Sequence, residues 1–245
     1  MKTIKLSAIL FLITITSSSV FAQNADEIIS KYITTIGGAD KLKTINGIKM
    51  EMSVNAQGME IPVEMVQLKG GKMYVKINLQ GKELTQMASD GTTIWTTNFM
   101  TMKAEKADAE ATENAKLSNN DFPEPLLDYK SKGYLAEYVG KETKEGTECY
   151  KVKLTKKPIT LNGVKHDDVS YYFFDTDNGL PIATETEIKD GPMKGEKSLS
   201  TMSDYQEVDG IFFPFAMNQG GQDLKIKKIS LNPVVEDKAF SFPTE

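Results

Sequence analysis

The chain has 245 residues, 40% hydrophobic, 9% aromatic and 26% charged, which is ordinary globular composition. One Cys and one His exclude a disulfide framework, a Cys-rich zinc site and a two-His metal centre built within one chain. All 29 basic residues are Lys, so no arginine fork to phosphate is available, and a net charge of −5 argues against nucleic acid as the main partner.

The N-terminus reads as an export signal. Lys2 and Lys5 form a short basic region, Leu6 to Ile15 an apolar core broken only by Ser7 and Thr14, and Val20-Phe21-Ala22 leads to a cut after Ala22. An apolar core of ten residues is too short to span a bilayer comfortably. Cleavage leaves 223 residues with a charge of −7, expected to form one domain over 23–245. No Cys near the cut offers a lipid anchor, so the expected location is the periplasm.

Asn24 is placed to cap a helix that carries Ile28, Ile29, Tyr32, Ile33 and Ile36 at helical spacing and stops at Gly37-Gly38. A short turn with Leu42 and Ile45 follows. The period then changes to two. Ile48, Met50, Met52 and Val54 alternate with Lys49, Glu51 and Ser53; Ile61, Val63 and Met65 form a second such run, and Met73, Val75, Ile77 and Leu79 a third. Gln57-Gly58 and Gly70-Gly71 read as the turns between them, and Asp90-Gly91 joins strands near 83–88 and 92–98.

Residues 103–132 break the rhythm. Ala104 to Leu117 is rich in Ala, Glu and Lys and is predicted helical; Asn119-Asn120-Asp121 then introduces Pro123, Pro125, Leu126, Leu127 and Tyr129. This segment is expected to lie across the sheet as a helical lid. Strands resume at about 134–139, 147–154, 169–175, 181–188, 197–206, 211–217 and 223–230, with Asn162-Gly163, Asn178-Gly179, Asp209-Gly210 and Gly220-Gly221 as punctuation. Short turns between evenly spaced strands predict a mainly β fold, an antiparallel sheet of about 11–12 strands, curled or partly closed.

Catalytic groups are sparse. His166 sits in a polar stretch, and Cys149 shares a strand face with Lys151 and Lys153. Glu185 and Glu187 flank Thr186 on one strand, about 7 Å apart from the strand rise, a spacing that suits inverting glycoside chemistry; a solvated strand face is the plainer reading. No phosphate-cradling glycine motif is present. The expectation is a protein without catalysis, metal or cofactor.

The methionines are more informative. Met50, Met52, Met65 and Met73 fall on the apolar strand faces; flexible thioethers suit surfaces that must fit variable apolar shapes, and plain core filling is the equal alternative. Two helical regions are few to cover twelve strands, so either the sheet closes on its own side chains or a groove remains. Its predicted lining is Met50, Met52, Val54, Ile61, Val63, Met65, Met73, Val75 and Ile77, with Leu126, Leu127 and Tyr129 from the lid.

The C-terminal third carries the most specific pattern. Asp175-Thr176-Asp177-Asn178-Gly179-Leu180-Pro181 is followed by Asp204-Tyr205, then Val208-Asp209-Gly210-Ile211-Phe212-Phe213-Pro214, then Ile229-Ser230-Leu231-Asn232-Pro233. This order resembles outer-membrane lipoprotein-sorting proteins of the LolA/LolB type. The resemblance implies an unclosed half-barrel wrapped around an N-terminal helix and a lid, with an apolar cavity for acyl chains. It further implies a periplasmic carrier whose partners are acylated lipoproteins or lipids and inner- and outer-membrane transfer proteins, with transient membrane contact only. A second reading stays open: a lipid- or lipoprotein-sensing module that reports envelope state to a partner protein.

Overall fold

The computed structural model describes residues 19–56 and 58–243. Residues 1–18 of the expected export signal lie outside the described residues. Helix α1 (Ser19–Thr35) begins upstream of Asn24, which is therefore inside the helix and not its cap. The helix buries Ala25, Ile28, Ile29, Tyr32 and Ile36 along one stripe, as their spacing requires. It stops at Gly37, whose φ of 127° only glycine adopts freely. A Cβ there would meet the Gly210 carbonyl oxygen at 2.5 Å, so the same glycine admits the close approach of the Asp209-Gly210 turn. A one-turn helix, α2 (Ala39–Lys43), buries Leu42.

The first six strands are β1 (Gly47–Ala56), β2 (Met59–Leu68), β3 (Lys72–Leu79), β4 (Lys82–Asp90), β5 (Ile94–Asn98) and β6 (Lys103–Lys106). Helix α3 (Ala109–Ser118) and an irregular stretch lead to β7 (Leu135–Lys144), β8 (Thr147–Thr155), β9 (Ile159–Leu161) and β10 (Val164–His166). The rest are β11 (Val169–Asp175), β12 (Pro181–Glu187), β13 (Lys197–Val208), β14 (Ile211–Gln219) and β15 (Gln222–Leu231). Thirteen strands form one antiparallel sheet in the order β6-β5-β4-β3-β2-β1-β15-β14-β13-β12-β11-β8-β7, and β9–β10 is a separate hairpin on the Asn162-Gly163 turn. The sheet is unclosed, with β6 and β7 as its edges.

The sheet has one strand more than the twelve expected. That strand is β6, on residues read as the start of the lid helix. Lys103-Ala104-Glu105-Lys106 pairs with β5 from Asn98 to Trp95, and this pairing outweighs the helical preference of the segment. The helix starts later, after Asp108, whose carboxylate accepts the Ala111 N–H at 2.7 Å. The topology has a direct consequence. β6 and β7 follow each other in the chain yet lie at opposite edges of the sheet, so residues 107–134 run from one edge to the other.

The main core lies on the inner face of the sheet. Val152, Leu154, Phe174, Ile211, Ile226 and Ile229 pack there against α1 and against Leu126, Leu127, Tyr129 and Tyr134. The outer face carries two smaller clusters. Val66, Tyr74, Ala88 and Trp95 are covered by the C-terminal Phe240, and Trp95 Nε1 donates to the Phe240 carbonyl at 3.3 Å. Cys149, Phe173 and Ala183 form the other cluster.

The C-terminal turn motifs hold the helices to the sheet. Asp175 accepts the Asp177 N–H at 2.8 Å and the Asn178 amide at 2.7 Å, shaping a turn whose Thr176 and Asp177 carbonyls accept from Lys31 of α1. Gly210 O accepts from Lys41 at 3.2 Å. Asn232 accepts the Asn46 N–H at 2.6 Å, and its own N–H donates to Gly47 O at 2.8 Å.

Candidate functional site

Register places all nine strand residues of the predicted groove on one face. Met50 pairs with Met65 and Met65 with Val75; Met52 pairs with Val63 and Val63 with Ile77; Val54 pairs with Ile61, and Met73 lies opposite Gln67. Antiparallel partners point to the same side of a sheet. The face continues where the sequence reading stopped: Met87 and Leu84 of β4 stand opposite Val75 and Ile77, and Ile94 of β5 opposite Ser89. A register bulge in β4 had hidden Leu84 and Met87 from a strict period of two.

Only Met52 of the nine is fully buried, at 8% exposure; the other eight are half-buried. The chain therefore leaves an apolar wall on β1–β4 that it fills only in part: Met50, Val63 and Met65 touch the main core, and the rest of the wall is less closely covered. One part of the wall is roofed by α3. Between them is a cavity of about 240 Å³, lined by Met73, Met87, Ile94, Gln67 and Ser89 from the sheet and by Thr112, Ala115 and Asn119 from the roof.

Helix α3 buries no side chain. It is held by polar contacts to the β9–β10 hairpin. Asn114 donates to Thr160 O at 2.6 Å and accepts the Thr160 N–H at 2.9 Å, and Glu110 accepts the Asn162 and Gly163 N–H groups at 2.7 and 2.8 Å. A helix attached this way can separate from the wall without exposing buried apolar surface of its own.

Leu126, Leu127 and Tyr129 are in a different place. They are buried against α1 and border a shallow groove of about 410 Å³ that also includes Ile29 and Ile33. Around them lies a polar network. Tyr32 donates to Glu124 at 2.9 Å, the Leu126 N–H donates to the other carboxylate oxygen at 3.1 Å, and Lys132 donates to the Glu124 carbonyl at 2.8 Å. Tyr134 donates to Asp121 at 2.8 Å, and Lys156 sits 2.9 Å from both Asp121 and Asp168. Tyr129 and Lys130 both donate to Asp26 at the other end of α1. Burial holds the Glu124 carboxyl above its ordinary pKa, whereas hydrogen bonds from Lys130 and Tyr129 hold Asp26 below its own.

The residues weighed for catalysis are dispersed. Glu185 is not on a solvated face: its side chain is 9% exposed, with Lys197 Nζ at 2.8 Å and Lys144 Nζ at 3.3 Å. Burial acts to raise its pKa, but the hydrogen bonds from Lys197 and Lys144 outweigh it and the net shift is downward. Glu187 is exposed and pairs with Lys189 at 3.1 Å. Cys149 is fully buried on the outer face, where burial, then the Asp175 charge, push its thiol pKa up and make it a poor nucleophile. His166 lies in β10 opposite Ile159, not in a free loop. Among the described residues, no group of three His, Cys, Asp or Glu is arranged to hold a metal, and no helix is long and apolar enough to cross a membrane.

No family model and no curated protein matches the chain. Solved structures do. The chain is similar to a DUF1329 family protein from Desulfovibrio piger, with a TM-score of 0.51 at 16% identity over 90% of this chain and 97% of that one. It is also similar to a "putative outer membrane lipoprotein-sorting protein domain" from Vibrio parahaemolyticus, with a TM-score of 0.49 at 13% identity over 89% and 97%. A third is the lipoprotein LppX of Mycobacterium tuberculosis, with a TM-score of 0.32 at 9% identity over 86% and 98%. At these identities the likeness concerns the fold: a large, open antiparallel sheet around few helices.

Proposed function

We propose that the protein is a non-enzymatic carrier in the cell envelope that holds acyl chains of lipoproteins or lipids against the inner wall of β1–β5. One observation carries this reading: eight of the nine predicted wall residues, apolar and methionine-rich, are only partly buried, and the end of the wall under α3 keeps a cavity of about 240 Å³. Burying an acyl chain yields about 0.8 kcal/mol per CH₂ relative to water, and a bilayer offers nearly the same. Exchange with a membrane is then close to neutral, as a carrier requires, provided the wall adapts to the chain. Methionine side chains supply that adaptability. Helix α3 is the cover in this reading, and residues 119–134, with Leu126, Leu127 and Tyr129, seat the cover's far end on α1. The leader over 1–22 supports a periplasmic location for a single domain over 23–245. Acylated lipoproteins or lipids would be the cargo, passed between inner- and outer-membrane transfer proteins.

The test is ligand recovery. Protein taken from its native envelope and extracted into organic solvent should release an acylated species in mass spectrometry, and the emptied protein should take up a fluorescent fatty acid. Val63→Glu or Met65→Glu, each placing a charge on the half-exposed wall, should weaken uptake at least about tenfold with an unchanged circular dichroism spectrum. Met52 is a poor choice for this purpose because it packs into the core. Repeated recovery of no acylated molecule, together with no uptake, overturns the proposal.

A further inference from the structure

The exposed large apolar residues are unevenly distributed. Strand directions place Gly58 and the turns at 80–81, 99–102, 188–196 and 220–221 at one end of the sheet. Five exposed apolar side chains lie on or beside those turns: Met59, Phe99, Met100, Met102 and Met193. The β5–β6 turn is the most pronounced, with Phe99, Met100 and Met102 all outward and Met100 96% exposed. Single exposed apolar residues are normal, but three within four positions on one hairpin tip mark an interaction surface.

The tip is built, not loose. Asn98 accepts the Met100 and Thr101 N–H groups at 2.9 and 3.3 Å, the Met102 N–H donates to Asn98 O at 2.7 Å, and the Asn98 amide donates to Glu105 at 2.8 Å. The turn therefore holds its apolar side chains in water by its own hydrogen bonds. Charge points to the kind of partner. In a chain with 34 acidic residues, positions 91–104 contain none, and Lys103 follows the tip directly. On the neighbouring turns, Glu60 pairs with Lys227 at 2.7 Å and Glu83 with Lys76 at 2.8 Å, and the hairpin's own Glu105 accepts from Asn98. An apolar point with an adjacent lysine and no carboxylate within 91–104 is complementary to a phospholipid surface, whose interface accepts apolar groups and whose phosphates attract cations.

We propose that this end of the sheet is a membrane-docking rim, with Phe99, Met100 and Met102 entering the headgroup–acyl boundary. The rim goes beyond the carrier reading and rests on it for its purpose: the tip joins β5 and β6, beside the wall proposed to hold the acyl chain, so docking there would bring the wall to the bilayer.

The test uses the processed protein recovered from the envelope and vesicles of phosphatidylethanolamine and phosphatidylglycerol. Wild type should co-sediment with the vesicles, and the triple variant Phe99→Ser/Met100→Ser/Met102→Ser should bind at least about tenfold more weakly, with fatty-acid uptake from solution unchanged. Met100→Trp should show a blue-shifted emission on adding vesicles, against the buried Trp95 background. A wild type that ignores vesicles, or a triple variant that binds them equally well, overturns the rim; the former result leaves the tip to a protein partner. A wild type that binds vesicles but takes up no fatty acid overturns the carrier reading and spares the rim.

Discussion

The two halves of the sheet differ in how their inner faces are treated. On β8 and β11, Val152, Leu154 and Phe174 are completely buried, and Phe174 lies between Tyr32 of α1, 5.4 Å between ring centroids, and Tyr172, stacked at 6.0 Å. On β1–β4 the equivalent face offers Met50, Met65, Met73 and Val75, all half-exposed. Both halves have one apolar face per strand. What separates them is side-chain type and the position of the helices: rigid aromatic rings meet α1 at β11, whereas Met73 and Met87 face a cavity under the polar-tethered α3. Apolar alternation thus identifies an inner face but does not say whether that face is filled. The same comparison explains why the protein tolerates an open wall, since the helix-plugged half supplies the packed core that stability requires.

The contrast is most sharply broken by truncation. Phe174→Ala should destabilise the fold by about 3–5 kcal/mol in chemical denaturation, because it empties a fully packed site. Met65→Ala on the wall should lower stability by less, about 1–2 kcal/mol, since its side chain is only partly buried. Equal losses in the two variants would show that the wall is part of the packed core.

A smaller effect is expected at the roof. Asn114→Ala removes both hydrogen bonds to Thr160. Net loss should be about 1–2 kcal/mol and local, seen as faster amide exchange over Ala109–Ser118 with little change at β8 or β11. Unchanged exchange would mean that α3 is held by something other than its polar tether.

The smallest effect concerns pH and the filled half. Glu124 is buried and holds its proton above its ordinary value of 4.5, where an unfolded glutamate has already ionised. The native state then binds more protons than the unfolded chain, so the stability contributed by Glu124 is fully present below the unfolded pKa. It declines as pH rises through the raised native value. Glu124→Gln removes this titration, and the stability of the variant relative to wild type should climb across that window. A relative stability that is flat with pH would show that Tyr32 and the Leu126 N–H hold the ionised carboxylate well enough to cancel its burial.

Much of the wall was legible in the sequence because a strand face has a fixed period. Nine residues chosen by alternation lie on one side of one sheet. Leu84 and Met87 were missed because a bulge in β4 breaks the period. The outer cluster was missed because Tyr74, Trp95 and Phe240 lie far apart in the chain, and nothing in their local patterns brings a tail residue onto a strand's outer face. Glu185 was read as solvated because the spacing of one strand does not reveal that Lys144 and Lys197 reach it from two others. The helix read from 104 begins at 109 because strand pairing with β5 is a tertiary contact.

Local physics by itself determined the elements of this protein. Period-two alternation made the strands, glycine turns set their ends, and an apolar stripe made α1 one that had to be buried. The tertiary structure decided which inner faces that helix would cover. The sheet stays unclosed and the chain must run from edge β6 to edge β7, so α1 packs against the middle of the inner face and the β3–β5 end keeps a cavity under α3. Burial depends on where distant segments meet, and that information is carried by no single stretch of sequence.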